Sequence, residues 1–330
     1  MKWWLISAAV SWFLCLLAAY VLRWRGVIDR PNERSSHVVP TVRGGGLGIL
    51  LAVMALALFG GAPAGSGITL AWVLGLAAIL AAVSFVDDVR PVSAFARMAV
   101  HAALAAVCLW ALGLGALPVV GLMLAWLWLC GYTNAFNFMD GINGLAATQA
   151  ILTGAGTALV AIKAGAGPES APVWLVLVVS GAAAGFLPHN FPRPRMFMGD
   201  VGSAVFGFLL AALALWIARD HGWELLLPLG LLHANFVLDT GFTLVRRVMR
   251  GDRWHQSHRE HFYQLLVRAG WSHERVTLVE AGLQLVTLLF AVGSVGTGVS
   301  GRIVALTAVL GLWLGFFFLA ERIFRRASAG

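Results

Sequence analysis

The chain has 330 residues, 60% of them hydrophobic and only 12% charged, with 14 tryptophans and a formal net charge of +8. That composition, with its positive mean hydropathy, excludes an ordinary soluble domain and defines a polytopic membrane protein. The positive charge needs no nucleic acid, because anionic lipid headgroups and a cytoplasmic anionic substrate account for it.

A membrane span needs about 20 apolar residues. Eleven apolar runs are expected to supply one each, centred near residues 12, 53, 77, 104, 126, 154, 180, 210, 234, 288 and 311. The first, "WWLISAAVSWFLCLLAAYVL", is too long for a signal-peptide core and has no small-residue cleavage site, so it is read as a helix. The expected fold is all-α: a single transmembrane domain over residues 1–330, with about 11 helices and five cytoplasmic loops forming one cleft. If the loop after the first span faces the cytoplasm and sides alternate, only four of the 23 lysines and arginines fall on the outer face: Lys2, Lys163, Arg219 and Arg302. This asymmetry places the N-terminus outside and the C-terminus inside. Cys15, Cys108 and Cys130 all fall within spans and form no CxxC pair, so they read as small buried residues. No internal repeat is evident, and the matched halves of a transporter are therefore absent. Apolar outer faces suit lipid and a second copy equally, which leaves a homodimer open.

The outer loops are short and nearly featureless, whereas the inner loops carry almost all the ionisable groups. In chain order, "RGGGLG" at 43–48 lacks both the P-loop lysine and the Rossmann spacing and reads as small residues for tight span packing. In "VDDVRP", Asp87 and Asp88 follow an apolar run directly. Two adjacent carboxylates in a partly dry site need a metal or an arginine; the plainer reading is a solvated helix end. The prenyl-diphosphate pattern DDxxD is not met, because position 91 is proline. In "NAFNFMDGING", Asn134, Asn137 and Asp140 recur every third residue and would share a helical face. Their oxygens suit magnesium, and Gly141 and Gly144 would admit a ligand to the backbone. A helix end with an Asn-Gly turn is the alternative. "PHNFPRPR" stiffens its loop with prolines and offers two arginines to anions; in "FMGDVGS", Asp200 is either an N-cap or a metal ligand at a helix start facing phosphate.

Asn235 and Asp239, four apart near the inner end of the ninth span, mark either a site or helix-to-helix hydrogen bonding. The last loop contains Arg253, His255, His258, Arg259, His261 and His273 but matches neither HExxH nor HxxEH. His258 and His261 would share a helical face that meets a phosphate or sugar, unless the stretch is simply a basic interfacial helix.

Taken together, "DRPNERSSHVVPTVRGGGLG", "FVDDVRPVSAFAR", "NAFNFMDGINGLA", "FMGDVGS" and "HREHFYQ" resemble, in this order, the polyprenyl-phosphate N-acetylhexosamine-1-phosphate transferases. That family includes the O-antigen initiators and the muropeptide transferase. The resemblance implies transfer of an N-acetylamino-sugar 1-phosphate from a UDP-sugar to undecaprenyl phosphate, with release of UMP, at the cytoplasmic face of a bacterial inner membrane. It implies Mg2+, or Mn2+ in its place, with Asp200 as main ligand and Asn137 as its partner. By the same resemblance Asp87 and Asp88 match an essential pair, with Asp87 the better placed to orient or deprotonate the lipid phosphate. Arg97 falls where members carry a cation facing phosphate, Asp140 and Asn143 where they contact the nucleotide, and His258, Arg259 and His261 in the sugar and diphosphate loop. Members often have adjacent histidines where this chain has "HREH", and the stretch looks closer to the O-antigen initiators than to the muropeptide enzyme. A transporter of an anionic or lipid-linked sugar, which predicts midplane charges, and a non-catalytic scaffold are the rival classes.

Overall fold

Inside a bilayer every backbone polar group must be satisfied within the protein, so long apolar runs fold as helices. The computed structural model describes residues 1–31, 39–63, 67–90, 92–252 and 258–329. Arg253 and His255 lie outside the described residues. The chain runs through α1 (Lys2–Trp24), α2 (Gly46–Phe59), α3 (Gly67–Val89), α4 (Ala94–Ala111), α5 (Val119–Met139), α6 (Leu145–Lys163) and α7 (Ala171–Asn190). It continues through α8 (Asp200–His221), α9 (Leu226–Leu232), α10 (Ala234–Met249), α11 (Phe262–Arg268), α12 (His273–Ser294) and α13 (Val299–Ala329). The protein is an all-α, multi-pass membrane protein.

Among the described residues, nine helices are long and apolar enough to cross a membrane. The two other expected spans differ in form. The run near residue 53 is α2, whose 14 residues reach about 21 Å, short of the hydrocarbon thickness. The run near residue 234 is a broken pair, α9 and α10, meeting at 73°. Hydropathy sums over a window and registers neither where a helix begins nor where it bends. The break frees the carbonyl of Leu232, and three side chains from two other helices take it up. Gln284 Nε2 donates to it at 2.7 Å, Thr153 Oγ1 at 3.0 Å and Gln149 Nε2 at 3.3 Å.

At the centre stands α8, buried continuously from Val201 to Ala218. A helix apolar on every side belongs in the core, and α3, α5, α2, α6 and α7 pack around it. The three cysteines are buried and free. The "RGGGLG" glycines make the tight crossings expected of them. A Cβ on Gly46 would lie 2.2 Å from the Gly202 nitrogen of α8, and one on Gly48 would lie 2.8 Å from Cys15 of α1.

A feature that hydropathy does not reveal is a small sheet at one end of the helices. Strand β1 (Ile28–Asp29) pairs antiparallel with β2 (Thr41–Arg43), and β2 pairs parallel with β3 (Met196–Phe197). Gly44 and Gly45 continue the ladder by donating to the Phe197 carbonyl at 3.2 and 2.9 Å, and Gly46 donates to Met198 O at 2.9 Å. The start of α2 is thereby tied to the start of α8.

Candidate active site

Strand β3 leads through Met198 and Gly199 into Asp200, the first residue of α8. The first amide groups of a helix have no partners within it, and Gly199, at φ 75°, has no side chain to cap them. A residue over a hundred positions away does so instead. The Asp88 carboxylate, at the C-terminal end of α3, accepts from the Asp200 amide at 3.0 Å and from the Val201 amide at 3.1 Å. A Cβ on Gly199 would approach Asp88 Oδ2 to 2.6 Å, so only glycine leaves room for this cap. Asp200 itself is thus the first helical residue and not the N-cap.

Two arginines close the cluster. Arg43 Nη2 lies 2.8 Å from Asp88 Oδ1 and 2.9 Å from Asp200 Oδ1. Arg97 Nη1, on α4, lies 2.7 Å from Asp87 Oδ2 and 3.4 Å from Asp200 Oδ2. Asp87 also accepts the Val92 amide at 2.6 Å, which ties α3 to the start of α4. Of the two readings of "VDDVRP", the solvated helix end fails: the Asp88 side chain is fully buried, the Asp87 side chain nearly so, and both carboxylates meet arginines. Burial works against the charge on Arg43, but Asp88, Asp200 and Asp29 outweigh it and hold its pKa above the usual value. Three carboxylates face two guanidinium groups, so the cluster keeps one formal negative charge for a cation to answer.

Asp140, just past the end of α5, sits near this charge. Desolvation, with the Asp200 and Asp88 charges adding to it against the opposing pull of Arg43, raises its carboxyl from 3.8 to about 7. Between those two values the folded protein holds a proton that the unfolded chain has lost, so stability falls as pH rises through the interval. In magnesium-free buffer the thermal midpoint should drop between about pH 5 and about pH 8 in the wild type relative to Asp140→Asn, by on the order of a few kcal/mol of stability. Parallel profiles for the two proteins would rule out a protonated Asp140.

Asn137 is brought to the same place. Its Nδ2 donates to Ser203 Oγ at 3.0 Å, one turn along α8 from Asp200. Asn134 shares α5 with Asn137, but its amide returns to Cys130 O at 2.7 Å and reaches Met98 of α4, and Asp140 lies past the helix end, off the expected shared face. The following loop is stitched to the segment that leads into β3. Asn143 Nδ2 donates to Pro192 O at 3.3 Å, the Gly144 amide to Asn190 Oδ1 at 2.6 Å, and Asn190 Nδ2 to Met196 O at 3.0 Å. What approaches the two loop glycines is protein. A Cβ on Gly141 would meet the Tyr263 hydroxyl at 2.0 Å, and one on Gly144, at φ 79°, would meet the Phe191 ring at 2.6 Å.

The last loop is anchored from below. Asp239 of α10 accepts from the His261 ring at Nδ1, 2.8 Å away, and from the Phe262 amide at 2.9 Å. Asn235, one turn earlier, donates to Glu280 of α12 at 2.8 Å. The pair noted in the ninth span therefore serves two partners. His261 precedes α11 as its N-cap, and its amide donates to Gln264 Oε1 at 3.3 Å. His258 lies in the loop before it, so the two histidines do not share a helical face; they meet ring to ring, with centroids 4.9 Å apart. Burial, with the neighbouring His261 and Arg247 adding to it, pushes the His258 pKa down to about 4 and keeps its ring neutral.

The "RE" between the histidines has a purpose here. Glu260 pairs with Arg247 at 2.7 Å and with Arg250, while its carbonyl accepts from Arg246 at 2.8 Å. Burial works against its ionisation, but Arg250 and Arg247 prevail and hold its carboxyl below the usual range. The Arg259 carbonyl accepts from Arg268 at 3.0 Å. Tyr263, on α11, donates to Phe138 O at 3.1 Å and so joins this region to the end of α5, which carries Asn137.

The structure therefore brings Asp87, Asp88, Arg97 and Asp200 into one network, adds Arg43, and ties Asn137 in through Ser203. His258 and His261 form a second cluster beside Phe138. Among the described residues no three His, Cys, Asp or Glu side chains converge as a closed metal cage. The hard oxygens of Asp200 and Asn137 nevertheless fit magnesium, which takes few protein ligands and completes its shell with water and phosphate.

Residues 70–218 match the family model for glycosyl transferase family 4. The chain is 30% identical over 315 residues to a decaprenyl-phosphate N-acetylglucosaminephosphotransferase of Mycolicibacterium smegmatis, covering 83% of this chain and 77% of the relative. It is 28% identical to a probable undecaprenyl-phosphate N-acetylglucosaminyl 1-phosphate transferase of Bacillus subtilis, over 82% and 77% of the two chains. It is also 30% identical to a phospho-N-acetylmuramoyl-pentapeptide-transferase of Lacticaseibacillus paracasei, over 55% and 54%. The chain belongs to glycosyl transferase family 4, the polyprenyl-phosphate sugar-phosphate transferases.

Proposed function

We propose that this protein transfers an N-acetylamino-sugar 1-phosphate from a UDP-sugar to undecaprenyl phosphate, starting O-antigen or a related envelope polysaccharide. An oxygen of the lipid phosphate attacks the β-phosphorus of the UDP-sugar. The new P–O bond forms as the bond to the bridging oxygen breaks, and the electron pair leaves with UMP. Such a reaction asks for positioning and charge neutralisation more than for covalent help from the protein. The observation that carries the reading is the position of Asp200 at the buried start of α8, between Arg43 and Arg97, with one negative charge left over.

Asp200 and the Asn137 oxygen would hold Mg2+, which neutralises charge on the diphosphate when bound. Arg97 orients phosphate, and Asp87, turned toward Arg97, positions the lipid phosphate; that phosphate is already largely ionised at neutral pH, so no strong base is required. Asp88 is a positioning residue that aims Asp200. Asp140 and Asn143 lie on the nucleotide side, and the His258, Arg259 and His261 loop on the sugar side. The lysine and arginine asymmetry supports a cytoplasmic site in a bacterial inner membrane, with the N-terminus periplasmic and the C-terminus cytoplasmic.

The test is UMP release by the purified protein in detergent with undecaprenyl phosphate and a panel of UDP-N-acetylamino sugars, with and without chelator. One donor is expected to give magnesium-dependent UMP. Silence across the panel from folded protein would overturn the reading.

A further inference from the structure

Arg43 opens the "RGGGLG" stretch, and the chemistry proposed above assigns it no substrate contact. Its backbone is fixed, because Arg43 pairs with Phe197 in the sheet and Gly44 and Gly45 continue the ladder. Its side chain, about one-third exposed, bridges Asp88 at 2.8 Å and Asp200 at 2.9 Å through the same nitrogen, Nη2. Asp88 is otherwise committed to the amides of Asp200 and Val201 and cannot turn away.

Asp200 has no such commitment, yet both of its oxygens face guanidinium groups. Arg97 is the looser neighbour, at 3.4 Å, and has a closer partner in Asp87 at 2.7 Å. Arg43 divides its contact almost evenly. A divalent cation on Asp200 draws on the same carboxylate, and Arg43, whose Nη2 is the nearer of the two guanidinium nitrogens at 2.9 Å, is the group it competes with most directly. Two cations a few ångströms apart in a partly dry site repel each other strongly.

We infer that Arg43 is the exchangeable counter-ion of Asp200. It balances that carboxylate before the divalent cation arrives, then gives it up while keeping Asp88, and its freed donors face the incoming diphosphate. A guanidinium presents several donors from one planar group and can change partners without leaving the site. The inference rests on Asp200 being the cation ligand, and it makes Arg43 a residue that lowers cation affinity until substrate phosphate is present.

The sign of the effect provides the test. Purified full-length protein in detergent is titrated with Mn2+, the free ion being followed by electron paramagnetic resonance, for wild type, Arg43→Ala, Arg43→Gln, Arg43→Lys and Asp200→Asn. Arg43→Ala should bind Mn2+ about tenfold more tightly while sugar-phosphate transfer falls, and Arg43→Lys should stay near wild type. Arg43→Gln keeps length and a donor without the charge and carries the same expectation if the alanine variant is not monodisperse. A merely structural arginine predicts the opposite: affinity unchanged or weaker in the neutral variants, with wild-type binding intact, overturns the inference alone. Wild-type binding that Asp200→Asn leaves untouched would instead remove the reading of Asp200 as ligand, and the inference with it.

Discussion

Asp200→Asn should lower UMP release by at least about 10³-fold, a loss of about 4 kcal/mol of transition-state stabilisation, while the protein stays folded. The substitution keeps the shape of the side chain and removes only its charge. Arg43 retains Asp88 as a partner and Arg97 retains Asp87, so no guanidinium is stranded. The backbone amide of residue 200 still reaches Asp88, so the start of α8 keeps its cap. Little in the packing gives a reason for instability, and a thermal midpoint within a few degrees of wild type is the matching expectation. Full transfer by the variant would falsify the assignment of Asp200 to the reaction and reopen the transporter and scaffold readings. Asn137→Ala should fall less steeply, because a neutral oxygen and a hydrogen bond to Ser203 are lost instead of a charge.

Asp88→Leu is expected to have the largest effect on stability. It strips the Asp200 and Val201 amides of their acceptor and takes from Arg43 its nearest carboxylate, leaving Asp200 and the neighbouring Asp29. Breaking a buried charged pair by removing one side costs about 3–5 kcal/mol, and each orphaned amide adds to it. Asp88→Asn should recover part of this, since one oxygen still accepts an amide while the new nitrogen faces another donor. Asp87→Asn should be milder in stability than either, because its oxygen can keep the Val92 amide and Arg97 remains near the surface. Thermal unfolding in detergent orders the four proteins, and any order that puts Asp87→Asn below Asp88→Leu would contradict the capping role of Asp88. Both aspartates are expected to be needed for transfer, one for where it points and the other for what it makes Asp200 do.

The amino-acid sequence by itself determined that this is a multi-pass membrane protein, that its charged groups gather in five of its loops, and which family those loops resemble. Each of these is additive or local. Hydropathy sums over neighbouring residues, the lysine and arginine bias is a count, and a motif such as "GDVGS" is contiguous. Tertiary structure alone decided what the motifs do to one another. Asp88 caps a helix that begins at residue 200, Arg43 reaches two carboxylates from a three-residue strand, and His261 is held by Asp239 across two elements. A strand of two or three residues has no period to read, so the sheet that sets Arg43 beside Asp200 leaves no pattern in the chain. The bend between α9 and α10 is silent for a similar reason: its apolar composition is continuous, and the carbonyl it exposes accepts from side chains of α6 and α12 far away in sequence. Composition sets the solvent in which the chain folds, while partners far apart in sequence are chosen by packing around α8, a helix buried on every side from Val201 to Ala218.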